Sequence, residues 1–79
     1  MKVVSLYRFL DLESPSSFRD ELQEVCDEQG LLGTVLVAHE GFNGTLAGEE
    51  RAVVAALNWI CERLDIAEEL DARWTDAKE

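Results

Sequence analysis

Gly33-Thr-Val-Leu-Val-Ala-His-Glu-Gly-Phe-Asn-Gly-Thr-Leu-Ala-Gly48 reads as a β-hairpin. Residues 34–39 form an apolar, β-branched run bounded by glycine. Residues 45–47 form a shorter one. Glu40-Gly-Phe-Asn-Gly44 between them is expected to hold the turn, because Asn43 and Gly44 tolerate the positive φ that a tight connection between right-twisted strands demands. Working outward, a helical pattern lies on each side of this hairpin and a strand-like segment lies beyond each helix. The order is therefore β-α-β-β-α-β.

On the N-terminal side, residues 3–10 alternate, with Val3, Ser5, Tyr7 and Phe9 on one face and Val4, Leu6, Arg8 and Leu10 on the other. Both faces are largely apolar, which suits a central strand. Ser14-Pro15 supplies an N-cap candidate followed by proline at the first helical position, where its missing N–H costs nothing. Phe18, Leu22, Val25 and Cys26 then fall on one helical stripe, and Gly30 ends the helix as a C′ glycine. On the C-terminal side, Glu49 and Glu50 open a second helix where the macrodipole favours carboxylates. Val53, Val54, Leu57, Ile60, Cys61 and Leu64 are its expected buried stripe. Trp59 stands beside that stripe and is expected to shield the helix edge. Residues 65–69 connect, and Leu70, Ala72 and Trp74 alternate as a final short strand. The expected domain is 1–74, with 75–79 as a linker or tail.

Two right-handed βαβ units in this order give an α+β fold of the ferredoxin-like or acylphosphatase-like kind. The four-stranded antiparallel sheet has order 4-1-3-2 and both helices on one face. Its second face has no cover. Because the first strand is apolar on both sides, that open face is expected to meet a second domain, a partner or a copy of the chain itself.

A chain of 79 residues holds one domain, and 47% hydrophobic with 30% charged residues is a globular composition. Seventeen acidic residues against seven basic ones leave a formal charge of −10, which opposes docking on phosphate backbones or anionic lipid. No segment approaches the ~18 apolar residues of a membrane span, and residues 1–8 lack a signal-peptide pattern. A cytoplasmic location without membrane contact is expected. Cys26 and Cys61 occupy apolar helical positions with no metal-ligand or redox spacing, and are expected to be buried, small, hydrophobic thiols.

His39 is the only histidine and adjoins Glu40 at the hairpin. One reading makes it a general base with Asn43 as an oxyanion donor. The other makes it a strand-end side chain with Asn43 serving the turn, and no nucleophile or second base accompanies the pair. A single histidine among scattered carboxylates gives no metal-ligand spacing, and neither a metal nor a cofactor is expected. Gly41 and Gly44 are followed by Thr-Leu and a strand where a phosphate loop needs Lys-Ser/Thr and a helix. A hydrolase of the acylphosphatase type would need a glycine-rich loop and an arginine after the first strand, where Asp11-Leu-Glu-Ser-Pro-Ser-Ser stands instead.

Tyr7-Arg-Phe together with the Gly33 to Gly48 run resembles the N-terminal domain of the rhodanese-related tRNA uridine hydroxylases, the TrhO or YceA-like family. Phe42 stands where an aliphatic residue is more usual. The resemblance implies an acylphosphatase-like domain preceding a rhodanese domain that holds the catalytic cysteine, in proteins that form 5-hydroxyuridine at the wobble position of tRNA. Neither Cys26 nor Cys61 matches that cysteine, so this chain alone is expected to be catalytically silent. By the same correspondence Glu40, Gly41, Phe42, Asn43, Gly44 and Thr45 are the candidate functional loop, with His39 a weaker candidate. The implied partners are the rhodanese domain and, through a full-length protein, tRNA. A stand-alone interaction module is the alternative.

Overall fold

The computed structural model describes residues 1–67 and 70–76. In chain order these form β1 (Lys2–Phe9), α1 (Pro15–Gln29), β2 (Leu32–Ala38), β3 (Gly41–Gly48), α2 (Glu50–Leu64) and β4 (Asp71–Asp76). The sheet order is β2-β3-β1-β4, all neighbours antiparallel. This is the expected βαββαβ topology. β4 takes in Thr75 and Asp76; the remainder of the expected tail, residues 77–79, lies outside the described residues, as do residues 68 and 69 of the connector.

The two helices end by the same device. Gly30 adopts φ 70, its N–H donates to the Asp27 carbonyl at 3.2 Å and the Leu31 N–H to the Cys26 carbonyl at 2.9 Å. This pair of bonds satisfies carbonyls that the helix leaves without partners and turns the chain directly into β2. At the end of α2 the left-handed residue is Asp65, φ 55, and the Ile66 N–H reaches the Cys61 carbonyl at 2.9 Å. Aspartate tolerates this region better than most side chains. At the start of α1, Ser14 occupies the N-cap position but makes no side-chain cap bond; its carbonyl accepts the Phe18 N–H at 3.1 Å.

The core lies between the helices and one face of the sheet. Val4, Leu6, Phe42 and Leu46 come from the strands, Phe18, Leu22 and Cys26 from α1, and Ala52, Val53, Ala56 and Ile60 from α2. Phe18 is the centre: its ring lies 5.7 Å from that of Phe42 and stacks on that of Trp59 at 5.8 Å and 14°. Trp59 thereby closes the helix edge, as its place in the sequence indicates. The buried stripe of α2 is rotated from the expected one. Ala52 and Ala56 are buried while Val54 is exposed and Leu57, Cys61 and Leu64 are half-buried, so the helix turns its alanines with Val53 and Ile60 toward the core. Cys61 is accordingly not a core residue, and it shares the groove between α2 and β4 with Leu57, Leu70 and Trp74. Cys26 is buried, and neither thiol forms a disulfide. Arg63 joins the two helices through Nε and Nη2 to Glu21 Oε2, at 2.9 and 2.8 Å.

Candidate functional site

The hairpin turns four residues earlier than the Asn43-Gly44 signal indicates. Ala38 pairs with Gly41, so the turn is His39-Glu40 alone, and Gly41, Phe42, Asn43, Gly44 and Thr45 are strand. Of the expected loop only Glu40 is in the connection. Among the described residues Asp65 is the one non-glycine with positive φ, which removes the expected left-handed role of Asn43. The reversal is absorbed by Gly41, φ 135, where a Cβ would run into the Arg8 carbonyl. Gly44 serves close approach: a Cβ there would meet the Thr34 carbonyl and lie 2.5 Å from the Val35 Cα. Glycine at these two positions is required by the neighbouring strands.

His39 and Glu40 are fastened to the segment that follows β1. The Leu10 N–H donates to the Glu40 carbonyl at 3.1 Å and the Leu12 N–H to the His39 carbonyl at 2.9 Å. The Nδ1 of His39 lies 3.0 Å from the Leu12 carbonyl. A carbonyl only accepts, so Nδ1 carries the proton and the ring acts as a latch on the β1–α1 connection. That geometry supports the strand-end reading of His39. No thiol is placed to work with it: both cysteines sit on helices, across the sheet from the open face. Burial, and then the charge of Asp27, pushes the Cys26 thiol above its ordinary value, which lowers its reactivity. Among the described residues no three His, Cys, Asp or Glu side chains converge as a metal site.

What the segment does build is one half of a surface. Asn43 lies between Tyr7 of β1 and Leu36 of β2, and Gly41 between Phe9 and Ala38. With no side chain at Gly41, a shallow trough of about 270 Å³ opens between Tyr7 and Phe9 on one side and Leu36 on the other. The Tyr7 and Phe9 rings meet edge to face at 6.0 Å. Tyr7 is 52% exposed, Phe9 80%, Leu32 65% and Leu36 64%, which gives the uncovered face of the sheet a marked apolar character on a strongly acidic chain. Ser5, Thr34, Asn43, Thr45 and Arg73 share that face by register, and the carboxylates of α1 and α2 lie on the far side of the sheet. Phe42 points the other way, into the core. The alternation of residues 3–10 already set Tyr7 and Phe9 on one face; Leu36 is the residue the loop reading missed, and strict alternation carried through residues 32–38 and 41–48 would have put it on one face with Asn43 and Thr45.

A four-stranded antiparallel sheet in βαββαβ order, covered by two helices on one face and open on the other, defines an acylphosphatase-like module. The chain belongs to the family described as the UPF0176 acylphosphatase like domain, whose family model matches residues 1–79. It is similar to the tRNA uridine(34) hydroxylase of Sinorhizobium medicae (strain WSM419), 39% identical over 66 residues, 84% of this chain and 21% of that protein. The Mesorhizobium japonicum protein of the same name is 38% identical over 77 residues, 98% of this chain and 25% of that protein. The Caulobacter vibrioides (strain NA1000 / CB15N) protein, again of that name, is 45% identical over 56 residues, 71% of this chain and 18% of that protein. The chain spans a quarter or less of the length of these curated relatives. Among the described residues no helix is long and apolar enough to cross a membrane.

Proposed function

We propose that this domain is the N-terminal accessory module of a tRNA uridine(34) hydroxylase. In this reading it lacks the catalytic cysteine and offers its open sheet face to the rhodanese catalytic domain. The observation that carries the reading is that face itself. A chain of formal charge −10 concentrates exposed Tyr7, Phe9, Leu32 and Leu36 on the one side free of helices, which suits burial against another protein surface better than contact with phosphates. The strand Gly41–Gly48 supports the face from below: its glycines bring the strands together and its Asn43 and Thr45 stand among the exposed side chains. The relatives named above are called tRNA uridine(34) hydroxylases, and in this reading the whole protein acts on uridine 34 of tRNA and hydroxylates it.

The test is a graft of this chain in place of the matching segment of the Sinorhizobium medicae relative, in cells lacking their own enzyme, with modified uridine measured in purified tRNA. The graft is expected to restore modification, and Phe9→Asp in it to lower modification by about tenfold, because burying a carboxylate at an apolar contact costs more than the ~1.4 kcal/mol that a factor of ten represents. The melting temperature of the isolated Phe9→Asp chain should match that of the parent. Full modification with Phe9→Asp, at equal protein levels, would sink the open-face reading.

A further inference from the structure

The two edges of the sheet are guarded very differently. β4 reads Asp-Ala-Arg-Trp-Thr-Asp, and charges of this kind keep an edge from pairing with other chains. β2 is the opposite edge and reads Leu-Gly-Thr-Val-Leu-Val-Ala, seven residues with no charge and no proline. Its composition, β-branched, apolar and uncharged, is that of strands that recruit a further strand. Beside it runs a narrow cleft against α1, where Arg19, Leu22, Gln23 and Cys26 face Val35 and Val37.

The helix along this edge is polar in a directional way. α1 passes into β2 through the single reversal at Gly30, so the two elements run antiparallel. Arg19 and Gln23 line that cleft one turn apart, Asp27 follows a further turn along the helix, and Gln23 Nε2 donates to Asp27 Oδ1 at 3.0 Å, while Arg19 Nε lies 3.5 Å from Asp20 Oδ1 on the exposed surface. A two-fold axis normal to the sheet and passing beside the middle of β2 pairs β2 with a second β2 in antiparallel sense. The same operation lays α1 beside a second α1, the Arg19 end of each against the Asp27 end of the other. In the register that sets Thr34 opposite Thr34, Leu32 of each copy stands directly across from Leu36 of the other. Both leucines are largely exposed on the single chain, and cross-strand apolar pairs stabilise such a ladder.

We propose that two copies of this chain associate through β2, antiparallel about Thr34, joining their sheets into one continuous sheet. The occupant of the edge is a second copy because the edge is complementary to itself in hydrogen bonding, in apolar side chains and in charge. Across the axis each Arg19, beside its own Asp20, comes opposite an Asp27 of the other copy, which offsets part of the repulsion between two acidic chains. The association is independent of any tRNA role and leaves the open face uncovered and doubled in width.

Sedimentation of the 79-residue chain over a micromolar to millimolar range at physiological salt is expected to show a reversible monomer–dimer equilibrium. Thr34→Lys sets two ammonium groups face to face on the axis and should weaken the dimer by about tenfold or more while leaving the circular dichroism of the monomer unchanged. Arg19→Asp and Asp27→Arg should each weaken it, and the double exchange Arg19→Asp/Asp27→Arg should restore it. That restoration keeps the test decisive even if Thr34→Lys fails to fold. A chain that stays monomeric throughout overturns the proposal. So does a dimer that ignores Thr34→Lys and the single exchanges but dissolves on Phe9→Lys, which would mark the open face as the contact, and so does a double exchange no better than its parents.

Discussion

Phe18 and Phe9 are the same side chain in opposite situations. Phe18 is 1% exposed between the helices and the sheet, whereas Phe9 projects from the other face into solvent. β1 makes the same contrast within one strand, with Val4 and Leu6 closing the core and Tyr7 and Phe9 leaving it. The covered face therefore carries the stability of the domain, and the apolar content of the open face is available to association. Composition treats the two alike, and only the pleat separates them.

The largest expected effects test that division directly. Phe18→Ala should cost about 4 kcal/mol, a large share of the stability of a domain this small, because it empties the space between Phe42 and Trp59. Phe9→Ala should change stability by no more than about 0.5 kcal/mol. Urea unfolding of the two variants checks this, and comparable losses would show that the open face is part of the core. A smaller pair sharpens the comparison within β3. Gly44→Ala should cost about 2 kcal/mol, since its methyl group would force β2 and β3 apart at Thr34 and Val35. Asn43→Ala, one residue away on the open face, should stay within about 0.5 kcal/mol. A loss of about 1 kcal/mol for Asn43→Ala would instead restore a left-handed turn at that residue.

The smallest effect is electrostatic. Lys2 Nζ lies 2.6 Å from Asp76 Oδ1 and 3.9 Å from Glu50 Oε1. The hydrogen bond from Lys2, and then the Lys2 charge, hold the Asp76 carboxyl below its usual value, and the same hydrogen bond, and then the Asp76 charge, hold the Lys2 ammonium above its own. The folded state thus binds fewer protons at Asp76, so that contribution is present above the ordinary carboxylate range and is lost as pH falls through the lowered value. The Lys2 contribution is present below the ordinary lysine range and is lost as pH rises through the raised value. Lys2→Met should lower the melting temperature slightly near neutrality, and the gap to the parent should close in acid and in strong alkali. A gap that persists unchanged in acid would assign the effect to packing of the lysine stem.

Much of the architecture was legible in the chain because its signals are local and agree with one another. Pro15 and Gly30 bracket α1, the Phe18, Leu22 and Cys26 stripe turns it toward the sheet, and two helix patterns around a hairpin leave few topologies open. The site was legible only in part. Asn43-Gly44 is a strong turn signal taken alone, yet Phe42 and Leu46 must both reach the core, and that requires an unbroken strand from one to the other. Tertiary packing overrode the dipeptide and moved the turn to His39-Glu40, where Gly41 and the bonds to Leu10 and Leu12 could hold it. The rotated stripe of α2 was not legible for a related reason: alanine is a weak marker of burial in sequence, so Ala52 and Ala56 gave little sign that they face the core.

The pairing of Lys2 with Asp76 sets how the domain bears load. β1 begins where β4 finishes, so tension applied at those two points pulls antiparallel neighbours apart from their shared end. The hydrogen bonds between them then open in succession, as in a zipper, where a shearing geometry would engage them together. Under such traction β4 detaches first, while the hairpin and the helices packed on it stay intact.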